Sequence, residues 1–186
     1  MQKENNFAVE MRVFDSPLVW LARVRKRCGY GVHSPFAFRF ITEVIYERSA
    51  YYAYAPLRRQ LRWWQRCRVE KICRLVLRIA NRQQPRVVLV SRGGGVAIPY
   101  IICGCRRAEV LSVADGRLVD LCYLTGPDEA ALQALSPQAV LIVDRLQRNK
   151  AWFRSLPYTV AFDLHDVGIA FFGLKLNRQY YRVNFE

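Results

Sequence analysis

Val87, Val88, Leu89 and Val90 run through Ser91 and Arg92 straight into Gly93, Gly94 and Gly95. Three β-branched residues and a leucine make a short all-apolar strand, of the kind buried on both faces in a parallel sheet. Val96, Ala97, Ile98, Tyr100, Ile101 and Ile102 follow as an apolar run of helical length. A glycine-rich turn between strand and helix lets the backbone approach a ligand closely, and the free N–H groups of the helix start attract negative charge. Pro99 suits the first helical turn, where its missing N–H goes unused. The same glycines also serve a plain tight turn, because glycine answers any demand for a positive φ.

Strand and helix signals alternate from there. Residues 109–115 read as a second strand closing on Asp115, and 118–124 as a third. Ala130, Leu132 and Leu135 suggest a short helix, 139–144 a fourth strand closing on Asp144, and Ala151 the start of a short helical stretch. Residues 159–164 and 167–172 are two more apolar strands with His165 and Asp166 between them, and 180–185 adds a last edge strand. The pattern predicts an α/β fold: a mostly parallel sheet with an antiparallel C-terminal hairpin.

The first half reads as an α-helical N-terminal cap. Ser16 and Pro17 start a helix over 16–28 that ends at Gly29. Ser34 as cap and Pro35 behind it start a second, with Phe36, Phe40, Ile41, Val44 and Ile45 at helical spacing. His33, just before the cap, reads as a structural hydrogen-bonder. Tyr51, Tyr52 and Tyr54 fall in a loop. Pro56 opens a long third helix ending near Arg82, with Leu57, Leu61, Trp64, Ile72, Leu75, Val76 and Ile79 on one face. Arg58, Arg62, Arg66, Glu70, Arg74, Arg78 and Arg82 follow at steps of four, a row that winds slowly around the polar side at about 100° per residue. Residues 1–86 therefore form a basic helical cap and 87–186 the α/β core, together one compact unit.

Charge sharpens that division. The net +14 is carried almost wholly by residues 1–86, with 18 Lys/Arg against 6 Asp/Glu; residues 87–186 hold 11 against 9. Such a field favours nucleic acid, acidic protein or an anionic surface, and it also describes solvated arginine-rich helices. With Trp63 on the polar side, the arginine row can track phosphates and stack a base. Six cysteines without a C-x-x-C, and two histidines, suggest neither zinc nor a disulfide framework. Reduced thiols point to the cytoplasm. No apolar run reaches the roughly 18 residues of a membrane span, and charges through the first thirty residues leave no visible secretory signal.

Ligands of open α/β sheets bind at the carboxyl ends of the strands, near the switch in strand order. The turn Ser91, Gly93, Gly94, Gly95 should gather there with Asp115 and Asp144. An acid after the second strand accepts hydrogen bonds from ribose hydroxyls in dinucleotide and nucleoside folds.

Here the chain resembles the class I S-adenosylmethionine-dependent methyltransferases, in particular small bacterial members with a helical N-terminal cap. The resemblance rests on Gly31, Val32, His33, Ser34, Pro35 and Phe36, on residues 87–102 and 140–152, and on the tail 160–164 with 168–172. It implies a Rossmann-like sheet, S-adenosylmethionine in the glycine turn and an acid on the ribose. By position Gly93 and Gly95 match the second and third glycines of the cofactor loop, and Asp115 matches the ribose acid.

The departures are as specific as the matches. Ser91 replaces the family's first glycine, Leu89 its preceding acid, and Leu124, Thr125, Gly126 and Pro127 stand where an aspartate is common. Between Asp115 and Val119 a helix, an edge strand and a second helix are missing, and with them part of the adenine wall. Arg92 places a positive charge beside a sulfonium cation. Three readings follow: a methyltransferase of unknown substrate; a non-catalytic descendant whose basic helical face (Arg58, Arg62, Arg66, Arg74, Arg78) binds nucleic acid or an acidic protein; and an anion site at Arg92, without the lysine of a P-loop. The exposed edge strand and aromatic tail make a homodimer a further expectation.

Overall fold

A computed structural model describes residues 32–185; the helix expected over 16–28 lies outside them. The Val87–Val90 run is β1, and the parallel sheet predicted around it is present. Seven strands stand in the order β2-β1-β3-β4-β6-β5-β7, where β2 is Glu109–Leu111, β3 Val119–Leu124, β4 Leu135–Asp144, β5 Val160–Asp163, β6 Val167–Phe171 and β7 Gln179–Arg182. The first four are mutually parallel. β6 runs against both its neighbours β4 and β5, forming the expected hairpin with β5. β7, expected as an edge strand, pairs in parallel with β5 instead of extending the hairpin pattern. The architecture is a Rossmann-like α/β sheet.

Period-two alternation sends strand side chains to two separate cores. Val88, Val90, Leu121, Ile142, Phe162 and Phe171 face the N-terminal helices. Leu89, Cys122, Leu141, Val143, Ala161 and Ala170 face the other side, covered by residues of the later helices such as Leu146 and Phe153. Burial on both faces is why the central strands carry unbroken apolar runs.

The helices in order are α1 (Pro35–Phe40), α2 (Tyr54–Gln60), α3 (Arg68–Gln83), α4 (Ile98–Gly104), α5 (Glu129–Gln133) and α6 (Leu146–Ser155). Ser34 caps α1 as predicted: its Oγ accepts the Ala37 N–H at 3.4 Å, with Pro35 behind it. A π-helical turn, Ile41–Ile45, continues α1. Thr42 Oγ1 donates to the Phe38 carbonyl at 2.9 Å within this widened ladder.

The long third helix is corrected. It is three pieces: α2, a short 3-10 turn at Trp63–Gln65, and α3. Leu61 and Arg62 are extended between the first two. Gln65 Oε1 accepts the Arg62 N–H at 2.9 Å and starts a new turn there. The break buries Leu61 while leaving Trp63 and Trp64 outside, which a continuous stripe would not allow. Tyr54 belongs to α2, not to a loop. Strand β2 stops at Leu111, so Asp115 stands in the loop beyond it rather than at its end. α6 is longer than expected and starts immediately after β4. Among the described residues, β2 stands at the edge of the sheet.

Candidate functional site

β1 lies between β2, which follows it through α4, and β3, on its opposite side. The switch in strand order therefore falls between β1 and β3, with Ser91 and Thr125 just past their carboxyl ends. The two are tied together. The Ser91 N–H donates to the Tyr123 carbonyl at 2.9 Å, and the Thr125 N–H donates to Ser91 Oγ at 3.1 Å. The hydroxyls of Ser91 and Thr125 lie 3.3 Å apart. Serine in place of glycine thus supplies an acceptor that joins the two strand ends.

The turn itself is a 3-10 helix, Arg92–Ala97, closed by the Gly94 N–H donating to the Ser91 carbonyl at 2.7 Å. A Cβ on Gly94 would come within 2.6 Å of the Tyr123 ring and 2.8 Å of Val90. A Cβ on Gly93 would meet Thr125 Oγ1 at 3.0 Å. Close packing accounts for both glycines, Gly94 against Tyr123 of β3 and Val90 of β1, and Gly93 against Thr125 just past β3. Gly95 faces open space, with nothing within 4 Å of such a Cβ. The sequence singled out the turn; it gave no sign that Tyr123 and Thr125 fill the room beside it.

The two acids sit in different surroundings. Asp144 ends β4, where it forms an ion pair with Arg68, the first residue of α3, and accepts the Arg145 N–H at 2.7 Å. Arg68 escaped the sequence reading, because 76 residues separate the pair. Asp115 is exposed and paired with Arg117, whose Nη2 lies at 2.8 Å. Hydrogen bonds from Arg117 hold its carboxyl below the usual range. Arg117 also reaches Glu109 at 2.7 Å, so the ribose acid expected by position is held to the far edge strand.

Three buried groups, Tyr123 and Cys73 near Asp144 and Cys122 on the other face of the sheet, are proton-retaining. Burial, then the charge of Asp144, pushes the Tyr123 hydroxyl well above its ordinary value. Burial, with Asp144 and Glu70 adding to it, pushes the Cys73 thiol up to about 12. Burial raises Cys122 to about 12 as well. These residues offer neither a thiolate nor a general base near neutrality.

The buried thiols carry a pH prediction. Their folded values lie above the ordinary 9.0, so the unfolded chain releases its protons first. The stability they contribute is complete below pH 9 and is lost as pH rises toward 12. At pH 10.5 the loss should reach about 2 kcal/mol per thiol. Urea midpoints should fall between pH 8 and about 10.5, and Cys122→Val should flatten that fall; a flat profile in the parent protein would contradict the assignment.

A second site lies along α3. A cleft of about 540 Å³ is lined by Arg48, Arg58, Arg66, Lys71, Arg74 and Arg78, with Glu47, Glu70 and Phe185 among them. Four of the five arginines expected on a basic face meet here despite the broken helix. Arg62 does not line it; its guanidinium lies 5.3 Å from the Trp64 ring centroid. Glu70 is buried between Arg74 and Arg58, the latter at 3.5 Å. Lys71 donates to the Phe185 carbonyl and stands 4.5 Å over its ring. Lys71 and Phe185 went unnoticed in the sequence because only the fold brings the chain's tail against α3.

No family model and no curated protein matches this chain. Some solved structures are similar to it at low identity and low TM-score. A methyltransferase from Geobacter sulfurreducens is similar at a TM-score of 0.45 and 15% identity, over 73% of this chain and 97% of its own. Cofactor-bound Rv0187 from MTB is similar at a TM-score of 0.34 and 14% identity, over 56% of this chain and 69% of its own.

Proposed function

We propose that this is a methyltransferase-type α/β protein whose S-adenosylmethionine edge is closed and whose role is binding rather than methyl transfer. One observation carries the reading: Thr125 packs directly against Gly93, and Tyr123 and Val90 against Gly94, so that neither glycine has room on its Cβ side. The partners of the acids agree with it. Asp144 is held by Arg68 and Asp115 by Arg117, so neither carboxylate stands ready for a ribose or a sulfonium. Arg92 adds an exposed positive charge, and among the described residues β2 is the edge strand on that side. A retained fold with an altered site is the case in which fold alone does not fix function.

A second reading, S-adenosylmethionine-dependent methyl transfer to an unknown acceptor, has its own support. Gly95 faces open space, and the Asp115–Arg117 pair is exposed. Exposed ion pairs are weak in water, so ribose hydroxyls can displace this one. For that reading the residues that would hold the cofactor are Ser91, Gly93, Gly94, Gly95, Asp115 and Asp144. S-adenosylmethionine supplies an electrophilic methyl group, and transfer from it requires chiefly alignment of an acceptor.

Calorimetric titration with S-adenosylmethionine and S-adenosylhomocysteine separates the two. We expect no heat of binding up to millimolar ligand. Micromolar binding that Asp115→Ala abolishes would overturn the closed-edge reading and restore the enzyme.

A further inference from the structure

We propose that the cleft along α3 binds the phosphodiester backbone of a single-stranded nucleic acid. The inference deepens the binding role proposed above by naming the partner, but it stands on different residues. Six cations line the cleft against two carboxylates, and both carboxylates are engaged. Glu70 is taken by Arg74 and Arg58, and Glu47 accepts from the Tyr51 hydroxyl at 3.0 and 3.1 Å. Positive charge is therefore left over inside a concavity, where field lines concentrate and an anion is drawn in.

One of these cations is buried against carbonyls, and a second, half-buried, meets a carbonyl and an aromatic ring. Arg78 is 9% exposed, and its guanidinium donates to the carbonyls of Glu47 and Ile45. Lys71 donates to the carbonyl of Phe185. Carbonyls satisfy donors without cancelling charge, and a buried unpaired charge is costly. The donors are not all satisfied either: Arg74 Nε and Arg78 Nε are buried without an acceptor. Phosphate oxygens accept from the accessible nitrogens of such guanidinium groups in charge-assisted bonds.

The layout favours a chain of phosphates over a single one. From Lys71 to Arg78 the helix advances about 10 Å at 1.5 Å per residue, beyond the reach of one phosphate group. The 3-10 turn leading to Arg66 exposes Trp63 and Trp64 to 69% and 48%, beside the basic rim. Aromatic faces next to a basic groove are how single strands are held without base-edge readout.

The test is fluorescence anisotropy of labelled single-stranded RNA and DNA oligonucleotides with the full chain. We expect micromolar binding whose logarithm falls with log salt at a slope of about −3, as four neutralised phosphates require. Arg58→Gln with Arg66→Gln, both exposed and distant from the sheet core, should weaken binding roughly tenfold and reduce the slope by about 1.4. Arg106→Gln, an exposed control outside the cleft, should leave both unchanged. Binding absent, lowered equally by the control, matched by polyglutamate, or competed fully by millimolar inorganic phosphate would overturn the proposal. Preference for RNA or for DNA identifies which source supplies the backbone, and either supports it. The outcome is separable from the cofactor titration. Oligonucleotide binding together with S-adenosylmethionine binding would sink the closed edge and keep the cleft; binding of neither would do the reverse.

Discussion

Asp163→Ala should lower the unfolding free energy by about 3 kcal/mol, because it strips a half-buried ammonium of its counter-ion and two further donors of their buried acceptor. Asp163 is the last residue of β5 and 0% exposed. Its carboxylate receives Lys150 of α6 at 2.8 Å, the Tyr180 hydroxyl of β7 at 2.9 Å and the His165 N–H at 2.9 Å. One side chain therefore joins an outer helix, the edge strand and the hairpin turn. The His165 contact matters separately, because His165 has φ 76°, a left-handed conformation that a β5–β6 turn must hold against its own preference. Lys150 keeps some solvent contact, which places the cost at the lower end for broken buried pairs. Asp163→Asn should lose less, since an amide oxygen still accepts from Tyr180 and His165. Urea unfolding of both Asp163 variants, of Lys150→Ala, and of Lys150→Ala combined with Asp163→Ala gives the coupling directly. A loss under about 1 kcal/mol for Asp163→Ala would show the cluster to be mere surface pairing.

Phe40→Ala should cost about 3–5 kcal/mol, the range for removing a fully buried aromatic ring. Phe40 sits at the end of α1, with ring centroids 4.9 Å from Phe162 of β5 and 4.8 Å, edge-on, from Phe171 of β6. It is the point where the helical first half meets the sheet, and the Ala side chain would leave a cavity between the two. Far- and near-ultraviolet circular dichroism should report one coincident transition with a lowered urea midpoint, as one cooperative unit requires. Two separated transitions, or a loss under about 1 kcal/mol, would mean that the helices fold apart from the sheet.

Some of this molecule was legible from neighbours in sequence alone. Val87–Val90, the apolar part of 139–144 and the run 167–171 announce buried strands because a strand covered on both faces must be apolar at every position. Ser34 before Pro35 announces a helix start because the cap and the ring each act within one turn. The glycine turn announces a tight strand-to-helix connection for the same local reason. Contacts between distant residues were not legible. Periodicity extended one helix from Pro56 to Arg82, but the burial of Leu61 and the Gln65 side chain divided it. Asp144 looked like an open ligand at a strand end until Arg68 closed on it. Three glycines marked a tight turn, but that Thr125 packs on Gly93 and Tyr123 on Gly94 is a contact between distant residues that only the fold reveals. A row of arginines became a cleft only when Lys71 and the carboxyl-terminal Phe185 joined it. Local patterns record each residue's own conformational preference. Whether a charge, a gap or an acid is free to act depends on which distant side chain the fold brings against it.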